Sequence, residues 1–184
     1  MKANTMTILQ TTATSDAVPA ITLPHIGATV TITLADIEQQ PVYEFGSDGT
    51  IPKLTKKGKP ATQDVLYGIV TAAEGAETGN ADNRQPATPG DRVRIFAAGG
   101  TLWQWIEAKQ THPTIQVGDV VKHTYERDEP ASVAGYNPRK IRGFKIRAAV
   151  PGEETNTAGA QAFHDERNNT ILEQNVPVVE EEAW

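Results

Sequence analysis

The most informative segment of the sequence is Gly135-Tyr136-Asn137-Pro138-Arg139-Lys140-Ile141-Arg142-Gly143-Phe144-Lys145-Ile146-Arg147. Turn-forming residues open it, and five of its last nine residues are basic. Tyr136 and Phe144 lie among these basic residues, a mixture that suits single-stranded nucleic acid, with its charged phosphates and flat bases. An ordinary edge strand also carries solvated lysine and arginine, because these residues block edge-to-edge aggregation. The segment by itself leaves both interpretations open.

Charge is distributed unevenly along the 184 residues, whose formal net charge is −6. Residues 51–147 hold 15 basic and 10 acidic side chains, whereas residues 148–184 hold eight acidic side chains and one basic one, Arg167. A basic middle followed by an acidic tail predicts a polarised molecule. Cysteine is absent, which excludes disulfides and thiolate metal sites. No apolar run approaches the ~20 residues that span a bilayer, so we expect a soluble protein without a membrane partner.

Five strand-like segments are predicted, with one helix between the third and the fourth. The alternation of β-branched residues that marks a half-buried strand is clearest over residues 28–34. The other predicted strands cover residues 63–71, 91–97, 120–126 and 141–150. Thr101 is a suitable N-cap for the helix, which we expect to extend for roughly ten residues.

This element order is that of the OB-fold, a small, partly open Greek-key barrel whose loops 1–2 and 4–5 commonly hold oligonucleotides. We therefore predict an all-β, five-stranded OB-fold barrel over residues 25–151. A flexible arm over residues 1–24 would precede it, ordered at most near residues 21–23. A disordered acidic tail over residues 152–184 would follow it, with at most a marginal helix over residues 161–173.

Basic and aromatic residues gather where such a fold would bind a single strand. Loop 1–2 holds four lysines, loop 4–5 covers residues 127–140, and the third strand places Arg92, Arg94 and Phe96 on one face. Lysine and arginine would neutralise phosphates, and exposed aromatic rings would stack on bases. The candidate contacts are Lys53, Lys56, Lys57, Lys59, Tyr67, Arg92, Arg94, Phe96, Trp103, Tyr136, Arg139, Lys140 and Arg142.

The remaining aromatic residues receive different interpretations. Helical spacing predicts that Trp105 belongs to the core. Alternation along the last strand places Phe144 in the core as well, although a bulge at Gly143 would turn it outward. Tyr43 and Phe45 share one face of their segment, and core and stacking positions are equally open to them.

Several segments also carry a family resemblance. They are Gly58-Lys59-Pro60-Ala61-Thr62-Gln63, Asp91-Arg92-Val93-Arg94-Ile95-Phe96, the helix over 102–109, Val117-Gly118-Asp119-Val120 and Gly135-Tyr136-Asn137-Pro138-Arg139-Lys140. Over residues 28–151 the chain resembles the single-stranded-DNA-binding proteins of bacteriophages, particularly of phages of actinobacteria. It departs from them at Arg139, where a second proline would be expected.

The resemblance implies an OB-fold that binds single-stranded DNA without sequence preference in the host cytoplasm, during replication, recombination or repair. Such proteins also form homo-oligomers in many cases. The acidic run and terminal aromatic of Glu180, Glu181, Glu182 and Trp184 are similar to the tips through which bacterial and phage proteins of this kind recruit replication and recombination partners. A merely solubilising tail is the alternative interpretation.

An enzyme is not expected. His25, His112, His123 and His164 are scattered without metal-ligand spacing, and no glycine-rich phosphate-binding loop is present. We expect neither a metal nor another cofactor. The alternative function is that of a phage structural or assembly protein, a small β-barrel of a tail or capsid that does not bind nucleic acid.

Overall fold

The computed structural model describes residues 18–44, 46, 49, 51–131, 133–153 and 155–174. These residues form a β-rich fold with two helices. In chain order the elements are β1 (Ile21–Thr22), β2 (Thr29–Pro41), β3 (Thr62–Glu74), β4 (Glu77–Thr78), β5 (Gln85–Pro86), β6 (Arg92–Ala97), a 3-10 turn (Gly99–Thr101), α1 (Leu102–Thr111), β7 (Val120–Glu129), β8 (Arg139–Arg147) and α2 (Thr157–Gln174). The five predicted strands correspond to β2, β3, β6, β7 and β8, and α1 is the predicted helix.

The five long strands form one antiparallel sheet in the order β6-β3-β2-β7-β8. β2 is its central strand, and its register with β3 shifts between Thr31 and Ile32 and again between Leu34 and Asp36. Such irregularities bend a strand and increase its twist. The bent sheet wraps around a single core, to which all five strands and α1 contribute buried side chains.

The sheet is not closed into a barrel, which corrects the prediction of a five-stranded barrel. Its edges are β6 and β8, and no backbone pairing joins them within the part of the chain that the structure describes. The N-terminal segment occupies the free edge of β6: the Arg94 N–H donates to the Pro19 carbonyl at 2.9 Å, and Ala20 pairs in parallel with Arg94. We call the gap between β6 and β8 the seam.

The N-terminal arm is more structured than expected, and the segment after β3 forms two short strands. Residues 18–24 of the predicted arm lie on the fold, with Leu23 buried in the core, while residues 1–17 lie outside the described residues. β1 pairs with β4, and β4 pairs with β5, to form a second, three-stranded sheet. This small sheet anchors the N-terminal segment, in which Pro19 and Ala20 lie along β6.

The predicted disordered tail contains the 18-residue helix α2, which corrects that expectation over Thr157–Gln174. Ala160 and Phe163 are buried in a second cluster, against Val65 and Ile69 of β3 and Ala35 of β2. Spacing of three residues places Ala160 and Phe163 on one face of the helix. A largely polar sequence thus forms a helix because a few side chains dock on the sheet.

No helix among the described residues is both long enough and apolar enough to cross a membrane.

Candidate nucleic-acid interface

Loop 1–2 is a folded hairpin that exposes its lysines. Its backbone is held by hydrogen bonds from Lys53 N–H to the Val42 carbonyl at 2.8 Å and from Ala61 N–H to the Lys53 carbonyl at 2.7 Å. The tip turns at Gly58, whose φ of 73° lies in a region that side-chain-bearing residues rarely adopt. All residues from 51 to 60 are exposed.

The four lysines of this hairpin, Lys53, Lys56, Lys57 and Lys59, lack a carboxylate within 4 Å among the residues that the structure describes. Exposed apolar side chains accompany them, namely Tyr43, Ile51 and Leu54. Phe45, the partner of Tyr43 in the sequence prediction, lies outside the described residues. Within the described residues, the hairpin therefore presents positive charge that no carboxylate contacts, beside apolar surface.

Loop 4–5 exposes Tyr136, which is 74% accessible, but neutralises part of its charge. Arg139 donates to Glu129 at 2.8 Å, and Arg127 donates to the other oxygen of the same carboxylate at 2.8 Å. Hydrogen bonds from Arg139 and then Arg127 hold the pKa of Glu129 below its ordinary value. Arg139 therefore has less free positive charge to offer than its position in the sequence indicates.

Lys140 and Arg142 keep their charge available. Neither has a carboxylate partner within the described part of the chain, and both lie over the ring of Tyr125, at 5.8 Å and 5.1 Å from its centroid. Tyr125 is buried, and its hydroxyl donates to Asp128 at 2.5 Å. The ring holds the two cations side by side at the start of β8, the strand that borders the seam.

Helix α2 lies over the outer face of β2 and β3, which corrects the prediction that Tyr67 is exposed for stacking. Tyr67 is only 4% exposed, with the Arg167 guanidinium 3.4 Å from its ring centroid and Phe163 edge-on at 6.5 Å. Arg92 pairs with Glu166 of α2 at 2.8 Å. A nucleic acid cannot stack on Tyr67 while α2 is docked, because the ring already has a cation on its face.

Phe96 and Arg94, the other two residues predicted for this face, lie nearer the seam. The Arg94 guanidinium is 5.1 Å from the centroid of the Phe96 ring, and its buried Nε has no hydrogen-bond partner among the described residues. Phe96 is half-buried and lines a cleft of about 240 Å³ in the seam. The lining of this cleft, which we call the seam cleft, consists of Ile21, Thr22, Leu23, Ile95, Phe96, Ala98, Thr101, His123 and Arg142.

The two tryptophans of α1 divide as predicted between core and surface. Trp105 is fully buried, whereas Trp103 is 69% exposed. Phe144 is buried and packs edge-on against Trp105 at 5.3 Å, which confirms its core position. Tyr43, left open by the sequence, is exposed.

His123 is a buried polar residue in the lining of the seam cleft. Its ring stacks on Phe144 at 4.2 Å, and its Nδ1 lies 3.0 Å from the Gly143 carbonyl. Because a carbonyl can only accept, Nδ1 carries the proton and Nε2 carries a lone pair in the neutral ring. Burial lowers the pKa of His123 to about 4, so the ring is neutral at pH 7.

The buried neutral state of His123 makes the stability of the protein pH-dependent. An unfolded histidine takes up a proton below pH ~6.5, whereas the folded one resists it down to about pH 4. The contribution of the neutral ring to the free energy of unfolding is therefore complete above pH ~6.5 and is lost as the pH falls toward 4. We expect the difference in unfolding free energy between wild type and His123→Gln to shrink by about 3 kcal/mol from pH 7 to pH 4. Urea unfolding followed by circular dichroism at several pH values measures this difference. Parallel pH profiles of the unfolding free energy for the two proteins would contradict the prediction.

Comparisons with protein families, with curated proteins and with solved structures found no match to this chain.

The interface therefore rests on the geometry of its own residues. The structure brings Phe96 and Arg142 together in the seam cleft, with Arg94 and Lys140 at its margins. The acidic tip, Glu180, Glu181, Glu182 and Trp184, lies outside the described residues. No group of three or more histidine, aspartate or glutamate side chains in the described ranges is placed to hold a metal ion.

Sequence reasoning missed His123 and Tyr125 as parts of the interface. The two residues alternate with exposed Lys122 and Glu126 on β7, a pattern that predicts burial but not the neighbourhood into which they are buried. Their pairing with Phe144 and Arg142 depends on the β7–β8 register, which the sequence alone does not reveal. Only the register places the imidazole of His123 close to an arginine.

Proposed function

We propose that this protein binds single-stranded DNA without sequence specificity, along loop 1–2, the seam cleft and loop 4–5. The observation that carries this proposal is the hairpin of loop 1–2, where four exposed lysines, which have no carboxylate partner among the described residues, stand beside exposed Tyr43, Ile51 and Leu54. Positive charge binds phosphates through release of counterions. Aromatic and apolar surface takes up bases without reading their sequence.

The strand arrangement supports a finer proposal, that the fold is an OB-fold with an open seam. Five antiparallel strands wrap one core, and α1 lies between the third and the fourth of them in the chain. An OB-fold is a partly open five-stranded barrel that binds oligonucleotides with loops 1–2 and 4–5. Those are the two loops that carry the exposed lysines and Tyr136 in this chain.

The proposed path differs from the usual one in one respect. OB-folds commonly bind on the face of their second and third strands, and here α2 covers Tyr67 and Arg92 on that face. We therefore propose that the bound DNA strand runs past the seam instead. The seam cleft begins at Phe96 and Ala98, at the end of β6 that pairs with the start of β3, and loop 1–2 leads into that start. On the opposite side, Arg142 of β8 lines the cleft, and loop 4–5 immediately precedes β8 in the chain.

A role in phage replication, recombination or repair follows from the family resemblance noted in the sequence. The acidic tip would then recruit partner proteins through its carboxylates and terminal tryptophan, in keeping with general modes of peptide recognition. Binding to single strands is the part of this proposal that can be tested first, because it needs no partner protein.

Replacing three lysines of loop 1–2 tests the proposal. We expect K56Q/K57Q/K59Q to weaken binding to fluorescein-labelled oligo-dT at least about tenfold at low salt. The slope of log K against log salt should become shallower by about 2, because each phosphate contact to a single strand contributes ~0.7. Fluorescence anisotropy across a salt series measures both quantities.

A matched control separates local contacts from overall charge. R84Q/K122Q/R147Q removes the same charge at three positions outside the proposed path: Arg84 and Arg147 pair with Glu77 and Glu153, and Lys122 is exposed on β7. This variant should keep most of the affinity. Equal losses in the two triple variants would overturn the assignment of loop 1–2. A wild-type protein that binds neither single-stranded nor double-stranded DNA would overturn the function itself and favour a structural role.

A further inference from the structure

The seam cleft has the shape and chemistry of a pocket for one flat ring. Its volume of about 240 Å³ is below the ~300–1,000 Å³ of clefts that enclose drug-sized ligands. Ile21, Leu23 and Ile95 supply apolar walls, and half-buried Phe96 belongs to the lining on the β6 side. A single heterocycle fits these dimensions, whereas a stretch of several stacked bases does not.

Two polar groups in the cleft have unused hydrogen-bonding capacity. The lone pair of His123 Nε2 has no partner within the described residues, since the proton of the neutral ring is on Nδ1 and binds Gly143. Arg142 offers several N–H donors and has no acceptor among the described residues, its guanidinium lying over the ring of Tyr125. A ligand that supplies both a donor and an acceptor can therefore form hydrogen bonds with both groups when it enters the cleft.

The pair of groups matches the edge of a nucleobase. Every base carries a hydrogen-bond donor next to an acceptor on its Watson–Crick edge, and proteins that bind unpaired bases read these edges by hydrogen bonding. Arg142 can donate to the carbonyl or ring nitrogen of such an edge, while His123 accepts from the neighbouring N–H. A phosphate would use Arg142 but would meet the lone pair of His123, which repels an anion.

We propose that the seam cleft receives one nucleobase of the bound strand, held against Phe96 and hydrogen-bonded to Arg142 and to Nε2 of His123. This inference rests on the proposed binding of single-stranded DNA and adds a base-binding subsite to it. The nucleotides on either side would then follow the seam toward the two basic loops. The subsite accepts any base of suitable size, so it adds affinity without strict sequence specificity.

The test compares two labelled strands of equal length, oligo-dT and an abasic strand with the same phosphates. Wild type should prefer oligo-dT. We expect R142K, which keeps the charge, and His123→Phe, which keeps a ring against Phe144, each to reduce this preference about two- to tenfold, as expected for one lost hydrogen bond. R147K is the control, because Arg147 lies on the same strand, pairs with Glu153 and does not line the cleft.

The outcomes distinguish the subsite from the function. Unchanged preference for oligo-dT in R142K and His123→Phe, with wild-type binding intact, would overturn the subsite and leave the function standing. Failure of wild type to bind any strand would overturn the function. If His123→Phe does not fold, the test uses R142K together with photo-crosslinking of wild type to an oligonucleotide that contains 4-thiothymidine. Crosslinks to Phe96 or His123 support the subsite. Crosslinks confined to the two loops overturn it.

Discussion

Replacement of Trp105 by alanine is expected to lower the free energy of unfolding by about 3–5 kcal/mol. Trp105 is fully buried, packs edge-on against Phe144 and donates its indole N–H to Asp64 at 2.7 Å. The substitution leaves a cavity between α1 and β8 and removes a donor from a carboxylate. Domains are stable by only about 5–15 kcal/mol, so the loss is a large share of the total.

Asp64 adds to the cost of this substitution. Burial acts to raise the pKa of Asp64, but hydrogen bonds from Lys109 and Trp105 outweigh it, and the pKa lies below its ordinary value. Without Trp105 the carboxylate keeps Lys109 as its cation, at 2.7 Å, and loses its indole donor. Trp105 therefore links α1 to two strands of the sheet, to β8 through Phe144 and to β3 through Asp64.

Trp103 supplies the control, two positions earlier on the same helix and mostly exposed. Trp103→Ala should change the free energy of unfolding by no more than about 0.5 kcal/mol, the usual range for surface substitutions. Urea unfolding followed by far-ultraviolet circular dichroism measures both variants independently of tryptophan emission. Similar losses for the two variants would show that α1 is not anchored through Trp105.

The second large effect is expected at Phe163, where alanine should release α2 from the sheet. Phe163 is buried beside Tyr67, and the Arg92 guanidinium lies 4.9 Å from its ring centroid. Truncation of a buried phenylalanine costs about 3–5 kcal/mol. Because α2 follows the last strand of the sheet and packs through few buried residues, we expect this loss to appear as local opening of the helix.

Hydrogen exchange with mass spectrometry distinguishes local from global loss. Amides of residues 157–171 should lose about two to three orders of magnitude of protection in Phe163→Ala, while those of β3 and β6 keep theirs. Asn169→Ala, an exposed change on the same helix, should leave both sets of amides unchanged. Equal loss of protection in α2 and in the sheet would show that the helix is part of the cooperative core.

Arg167 explains why α2 docks at this position. Its guanidinium donates to Asp36 at 3.1 Å and to Glu38 at 2.8 Å, and it stacks on Tyr67. Burial acts to lower the pKa of Arg167, but Asp36, Tyr67 and Glu38 outweigh it, and the pKa is raised. The one basic residue of the acidic tail thus meets two carboxylates and an aromatic ring of the sheet.

Local patterns predicted the strands, the helix and the exposed basic loops. Alternation placed Val30, Ile32 and Leu34 inside β2, and all three are buried. Helical spacing placed Trp105 in the core, and turn residues located loop 1–2 with its lysines. These features depend on neighbours within a few positions, so the sequence displays them directly.

Long-range contacts decided the rest of the site. Arg167 and Asp36, which hold α2 over Tyr67, are 131 residues apart in the chain. Pro19 and Ala20 take the free edge of β6, and the sheet stays open there. The β7–β8 register brings His123 against Phe144 and Tyr125 opposite Arg142.

The sequence by itself therefore determined which segments form strands, which carry positive charge and which aromatic residues are candidates for stacking. The tertiary structure alone decided that Tyr67 is covered, that Arg139 is neutralised by Glu129, and that Phe96, His123 and Arg142 line one cleft. The physical reason is that periodicity reports only whether a side chain points inward or outward. What it meets there depends on the register of the strands and on the docking of distant segments.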